Sequence, residues 1–137
     1  MKQSILKFST TGRGTSNITR EVEAVVTAAA VPTGICHLFI QHTSASLMIC
    51  EDADPVVRED LERWLAHHVP DGDPMFQHNE EGDDDMPAHV RSIFTGMDLS
   101  VPIIEGCLGL GTWQGIYLYE HRSGAHTRKV VVTIPGN

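Results

Sequence analysis

The order in which helical and strand periodicities follow one another constrains this fold most. Apolar residues recur at helical spacing over 18–30, and a second helical stripe follows Asp54-Pro55, a typical helix start. Short apolar segments with strand character make up most of the remaining chain. Because strands and helices do not alternate strictly, the sequence favours an α+β fold with a mostly antiparallel sheet.

The predicted elements form one domain. Strands are expected at 3–9, 35–42, 45–50, 98–104, 107–110, 114–121 and 127–134. Two longer helices are expected at 18–30 and from Pro55 to His68, and a short one at 88–94. The chain has 137 residues and contains no internal repeat or long linker, so we predict a single domain over 1–137.

The acidic balance of the chain comes mainly from one segment. The net charge is −8, from 18 acidic and 10 basic residues, and the segment from Asp71 to Met86 contains acids but no Lys or Arg. This distribution disfavours nucleic acids and anionic membranes as partners, since both require a basic surface. The acidic segment is therefore either a solvated loop or a site for a cation.

Other features concern the core and the location of the protein. Trp64 lies on the apolar stripe of the second long helix and is expected in the core. The cysteines Cys36, Cys50 and Cys107 are expected to be buried free thiols. Neither a secretory h-region nor an apolar stretch of ~20 residues is visible, so we expect a cytoplasmic protein with no membrane span.

Histidines flank the acidic segment and suggest a metal site. His78 and His89 enclose the run that contains Asp84, while His42 is the last residue of a predicted strand. Two imidazoles and a carboxylate could hold zinc, whereas carboxylates alone could hold magnesium beside a phosphate. The spacing between the two histidines matches no compact zinc motif, so a solvated loop remains an alternative.

Polar residues at strand ends provide a second set of candidates. Thr43 and Ser44 lie at a tight turn, where hydroxyls and free backbone N–H groups can face an anion, although these residues also favour turns for structural reasons. Strand alternation puts Glu120 among apolar residues, and Arg128 on the next strand is its natural partner. That pair is either a cross-strand ion pair or part of a site that binds phosphate.

Four motifs together resemble the YjbQ-like family, which is also called the secondary thiamine-phosphate synthase family. They are QHTSASL (41–47), DPVVREDLER (54–63), EGDDDMPAHV (81–90) and LGTWQGIYLYEHR (110–122). The resemblance extends from about residue 3 to Gly136. Two departures are Cys50-Glu51-Asp52, where the family usually has N-E-N, and Ala125-His126, where it has two glycines.

The resemblance implies a small cytoplasmic homotrimer with a polar site near the subunit boundary. It also implies a weak thiamine-phosphate synthase activity, which joins a pyrimidine methyl pyrophosphate to a thiazole phosphate and releases pyrophosphate. The alternatives are a non-catalytic trimer that binds a metal or a phosphorylated metabolite, and a metal-dependent hydrolase. The implied cofactor is a divalent metal, either zinc or magnesium.

The family's polar positions assign roles to residues of this chain. The implied catalytic residues are His42, Asp84 and Glu120. The implied substrate-binding residues are Thr43, Ser44, Glu51, Gln114 and Arg128. The implied metal ligands are His42, His78 and His89.

Overall fold

The computed structural model describes residues 1–135 and confirms the predicted α+β class. Within that range the chain forms eight strands and three helices. The strands are β1 (Lys2–Thr10), β2 (Gly14–Asn17), β3 (Thr33–Ile40), β4 (Ala45–Glu51), β5 (Asp98–Ile104), β6 (Cys107–Leu108), β7 (Gln114–Glu120) and β8 (His126–Ile134). The helices are α1 (Thr19–Ala29), α2 (Pro55–His68) and α3 (Asp85–Thr95). The predicted domain extends to residue 137, and its last two residues lie outside the described range.

The strands form two sheets, and every strand pair in residues 1–135 is antiparallel. One sheet has the order β1-β8-β3-β5-β6 and the other has the order β2-β7-β4. One face of the larger sheet packs against the smaller sheet and α1, because alternate residues of each strand are apolar and point inward. The resulting core includes Leu38, Leu47, Leu118 and Val130.

Helix α1 forms as its apolar spacing predicts. Val22 and Val26, four residues apart, are both fully buried in the core. The side chain of Asn17 accepts a hydrogen bond from the backbone N–H of Thr19 (3.0 Å), which satisfies a free donor at the helix start. The helix ends at Ala30, which adopts a left-handed conformation with φ 54°.

Helix α2 begins at the predicted position but lies nearer the surface than expected. Asp54 accepts a hydrogen bond from the Val56 N–H (3.0 Å), and Pro55 opens the first turn. Leu65 is the buried residue of this helix, and Trp64 is 49% exposed. The prediction of a core Trp64 is therefore wrong, since its ring stacks on His68 (centroids 4.0 Å apart) at the molecular surface.

Several element boundaries differ from the predictions, and one strand was not predicted. Helix α3 begins at Asp85, so that Pro87 lies inside the first turn, where its missing N–H removes no intrahelical hydrogen bond. The strand β2 was not predicted, because its sequence GTSN is short and polar and becomes a strand only by pairing with β7. No helix within residues 1–135 is long and apolar enough to cross a membrane.

The three cysteines differ in burial. Cys36 is buried as predicted, whereas Cys50 is half-buried and Cys107 is exposed. The prediction of buried thiols is thus wrong for these two residues. Cys107 lies on β6, a two-residue strand at the edge of the larger sheet that cannot cover both of its own faces.

The strand register brings several polar segments to one end of the molecule. Ala45 at the start of β4 pairs with Glu120 at the end of β7. Thr10 at the end of β1 pairs with His126 at the start of β8. The start of α3 lies at this same end, where Asp84 contacts Arg122.

Candidate metal and anion site

Most of the predicted site residues lie together at this end of the molecule. Hydrogen bonds and ion pairs connect the start of α3, the turn before β4, the end of β7 and the start of β8. We call this group the polar belt. It consists of His42, Thr43, Ser44, His78, Asp84, Asp85, His89, Glu120, Arg122 and Arg128.

Within the polar belt, His78, Asp85 and His89 form a cluster with the donor set of a metal site. Each residue offers one ligand atom, and these atoms lie within 4.8 Å of one another. His78 Nε2 is 2.8 Å and His89 Nε2 is 3.4 Å from the Asp85 carboxylate. His89 Nδ1 donates to the carbonyl of Thr43 (2.9 Å), so that in the neutral ring Nε2 has a free lone pair.

Asp85 is the carboxylate of this cluster, and the sequence analysis did not identify it. Its side chain is 3% exposed, and Arg122 Nη1 lies 3.1 Å from Oδ1. The sequence spacing could have indicated Asp85 as a neighbour of His89, because the two residues are four positions apart and share one face of α3. A carboxylate that is buried so completely between two histidines and an arginine is held in one orientation.

Asp84, the predicted catalytic carboxylate, is engaged elsewhere in the polar belt. Its Oδ2 accepts hydrogen bonds from Arg122 Nε (2.9 Å), from the Ser123 N–H (2.8 Å) and from the Ser123 hydroxyl (3.1 Å). Burial alone would raise the pKa of Asp84, but these donors outweigh burial and lower its pKa to about 2. Asp84 therefore anchors Arg122, and through it the loop after β7.

Glu120 and Arg128 form the ion pair predicted from strand alternation. Both are buried, with 1% and 4% of their surface exposed. Arg128 Nε donates to Glu120 (2.8 Å), Arg128 Nη2 makes a second short contact to it, and Thr10 Oγ1 donates to Oε1 (2.6 Å). Burial would raise the pKa of Glu120, but the hydrogen bonds from Arg128 and Thr10 lower it. These hydrogen bonds offset the cost of removing a charge pair from water at this depth.

The turn before β4 connects the two parts of the polar belt. Ser44 is buried, and its hydroxyl accepts from Arg128 Nη2 (3.0 Å). Thr43 is exposed, and its carbonyl accepts from His89. The turn thus holds Arg128 on one side and the metal-type cluster on the other.

His42 lies in the polar belt but outside the cluster of His78, Asp85 and His89. Its Nε2 accepts a hydrogen bond from the backbone N–H of Lys129 (2.8 Å), and its Nδ1 is 3.4 Å from Arg128 Nη1. Burial, followed by the charge of Arg128, lowers the pKa of His42. The ring is therefore neutral near pH 7.

Glu51 and Gln114 lie at the opposite end of the smaller sheet. They pair with each other in the β4–β7 register, six positions from Ala45 and Glu120, which corresponds to about 20 Å along the strands. Glu51 accepts from the Asp54 N–H (2.8 Å) and Gln114 from the Gly111 N–H (2.7 Å). Within one chain, these two residues hold turns and do not join the polar belt.

A buried polar network that the sequence analysis missed lies behind the smaller sheet. His121 is fully buried, and its Nε2 lies 2.8 Å from the hydroxyl of Ser46. Tyr119 donates to Glu62 (2.6 Å), which also receives two hydrogen bonds from the fully buried Arg91. Side chains alternate between the two faces of β7, so His121, two residues after Tyr119, is expected on the same face as Tyr119. The sequence pattern could therefore have predicted that these two residues lie together.

Comparisons with known proteins agree with this fold. Residues 4–137 match the family described as "UPF0047 protein YjbQ-like". A UPF0047 protein from Synechocystis is 47% identical over 134 residues, covering 98% of this chain and 91% of its own. The UPF0047 protein YjbQ from Salmonella typhimurium is 43% identical, covering 98% of this chain and 97% of its own.

Solved structures show the same architecture. A conserved hypothetical protein from Thermus thermophilus superimposes with a TM-score of 0.85 at 37% identity, covering 96% of this chain and 99% of that one. A hypothetical protein from Aeropyrum pernix gives a TM-score of 0.90 at 25% identity, with both chains fully covered. The chain belongs to the YjbQ-like UPF0047 family.

Proposed function

We propose that the protein is a metal-dependent enzyme that acts on phosphorylated small molecules. The observation that carries this proposal is the cluster of His78, Asp85 and His89, whose ligand atoms lie within 4.8 Å of one another, with the Arg122 guanidinium 3.1 Å from the Asp85 carboxylate. A cation next to a guanidinium suits a substrate that carries phosphate or pyrophosphate.

The donor set suits zinc better than magnesium. Two imidazoles and one carboxylate are typical of catalytic zinc, whereas magnesium prefers oxygen ligands. The hydrogen bond from His89 Nδ1 to Thr43 supports this choice, because it leaves Nε2 free to bind. A bound zinc would supply positive charge close to the leaving pyrophosphate.

The reaction we propose is the one that the family resemblance implies, as a secondary activity. The thiazole nitrogen would use its lone pair to bond to the pyrimidine methylene, while the C–O bond to pyrophosphate breaks and its electrons leave with that group. Ser44 and Arg128 would bind phosphate oxygens, and Arg122 would hold Asp85 in place. Glu120 would keep Arg128 oriented.

The test is to measure zinc binding and product formation for wild type, His78→Ala and His89→Ala. We expect either substitution to weaken zinc binding by more than about tenfold and to remove most turnover, because each deletes a ligand. His67→Ala is the matched control, since His67 is exposed at the end of α2. It should leave both quantities unchanged.

Three outcomes would contradict the proposed metal-dependent synthase. If His89→Ala bound zinc as wild type does, the proposed metal site would be ruled out. Product limited to one equivalent per chain would indicate a binding protein instead of an enzyme, and release of inorganic phosphate from either substrate alone would indicate a hydrolase.

We also propose that the protein assembles as a homotrimer in the cytoplasm. The outer face of the larger sheet exposes Ile5, Ile35 and Phe39, and a separate patch on α2 and α3 exposes Trp64 and Phe94. In a ring-shaped trimer, one surface of each subunit contacts a different surface of the next subunit. The two exposed apolar patches can serve as these two surfaces. The free thiols are consistent with a reducing compartment.

A further inference from the structure

The two ring nitrogens of His42 have different environments. Nε2 lies 2.8 Å from the backbone nitrogen of Lys129, which can only donate, so Nε2 must be the acceptor. Because a neutral imidazole has one acceptor and one donor, the proton is on Nδ1. The lowered pKa of His42, caused first by burial and then by Arg128, supports a neutral ring.

The protonated Nδ1 faces another donor. It is 3.4 Å from Arg128 Nη1, and since both atoms are N–H donors, this contact is not a hydrogen bond. Arg128 uses Nε and Nη2 on Glu120 and Ser44. Its Nη1 finds no acceptor among residues 1–135, although the arginine is only 4% exposed.

An unpartnered donor of a buried arginine is costly unless something accepts from it. Two donors 3.4 Å apart can both reach one oxygen at an ordinary distance of about 2.8 Å. Lys129 adds positive charge near His42, opposing the negative charge of Glu120. This arrangement suits an oxygen of a phosphate group.

We propose that His42 Nδ1–H and Arg128 Nη1–H together bind one oxygen of a phosphate group, with His42 acting as a neutral donor. His42 is then a binding residue, neither a metal ligand nor a base. This inference deepens the proposed function, on which it rests for the identity of the substrate, because it assigns the phosphate half of the site to named atoms.

The tautomer is tested on wild-type protein. Nitrogen-15 NMR of histidine-labelled, chelator-treated protein should show His42 protonated at Nδ1, the minor form of free histidine. Titration with inorganic phosphate should shift the His42 Nδ1–H signal. A His42 ring protonated at Nε2 would overturn the proposal, as would a signal that phosphate leaves unchanged.

A pair of amide substitutions separates the two nitrogens. In His42→Gln the amide oxygen can accept from the Lys129 N–H, but the donor beside Arg128 is lost. In His42→Asn the amide nitrogen lies near the former Nδ1 and retains that donor. We expect phosphate affinity to fall about tenfold or more in His42→Gln and to stay within about threefold in His42→Asn. Equal affinity in His42→Gln and wild type would overturn the proposal.

The experiment also separates this inference from the metal proposal. Inorganic phosphate and glycerol phosphate are titrated in turn without metal, and the tighter ligand identifies free phosphate or a phosphate ester as the natural occupant. Metal-free His78→Ala should bind phosphate as wild type does, which supports the anion site. If zinc binds normally but His42→Gln has no effect, the inference fails while the metal proposal stands.

Discussion

At the residue scale, two adjacent acids at the start of α3 have different roles. Asp84 is held by Arg122 and Ser123, whereas Asp85 lies between two histidines. Asp84 was the predicted carboxylate because of its place in the acidic run and the family resemblance, but Asp85 lies in the same run, and one step along the start of a helix turns a side chain by about 100°. The choice between them depends on how α3 packs against β4.

His121 is the residue whose burial has the clearest consequence for stability. Burial, followed by the charges of Arg91 and Arg13, lowers its pKa from 6.5 to about 3. The folded protein therefore contains a neutral His121 at pH values where the unfolded chain would bind a proton. The protonation of His121 therefore does not reduce the free energy of unfolding above about pH 6.5. Below that pH the free energy of unfolding decreases as the pH falls towards 3.

This pH dependence is testable with His121→Gln, which cannot become charged. Between pH 6.5 and 5, wild type should lose about 2 kcal/mol more unfolding free energy than the variant, because one pKa unit corresponds to ~1.4 kcal/mol. Urea denaturation at both pH values and one protein concentration measures the difference. His67→Gln, an exposed control, should keep the wild-type slope; an equally steep slope in His121→Gln would refute the explanation.

At the element scale, local sequence patterns predicted the start of α2 but did not predict β2. The start of α2 depends on Asp54 and Pro55, whose effects act within one turn. Strand β2 has no comparable signal, because four polar residues become a strand only when β7 supplies the hydrogen bonds. A strand without apolar alternation of its own, such as β2, is therefore left out of a prediction from the sequence.

The cap of α2 can be measured directly. Asp54→Ala removes the acceptor for the Val56 N–H and should lower the unfolding free energy by about 1 kcal/mol. Asp60→Ala on the same helix removes only an exposed pair with Arg63 and should cost less than about 0.5 kcal/mol. Equal losses in urea denaturation would mean that the cap contributes nothing specific.

At the scale of the whole molecule, the two exposed apolar patches allow the proposed trimer to be tested. If the subunits form a ring, the sheet patch of one copy contacts the helical patch of the next. A charge introduced into either patch should then disrupt every subunit interface, because every interface contains both patches.

Phe39→Asp and Phe94→Asp should each convert the trimer to monomers, since each buries a charge in an apolar interface. A mixture of the two variants should form heterodimers only, because a single intact interface remains between them. Light scattering coupled to size exclusion measures these masses. A trimer that survives either substitution, or a wild-type monomer, would contradict the proposed assembly.

Features that depend on local chemistry could be predicted before the fold was known. Periodicity and helix caps predicted the antiparallel α+β class and the start of α2, and strand alternation predicted the buried pair of Glu120 and Arg128. Tertiary structure decided which groups meet: Asp85 instead of Asp84 between the histidines, and Glu51 and Gln114 at the far end of the sheet. It also fixed the proton of His42, through a backbone N–H 87 positions away. The physical reason is that register and packing between distant segments set these contacts, and local residue patterns do not encode that geometry.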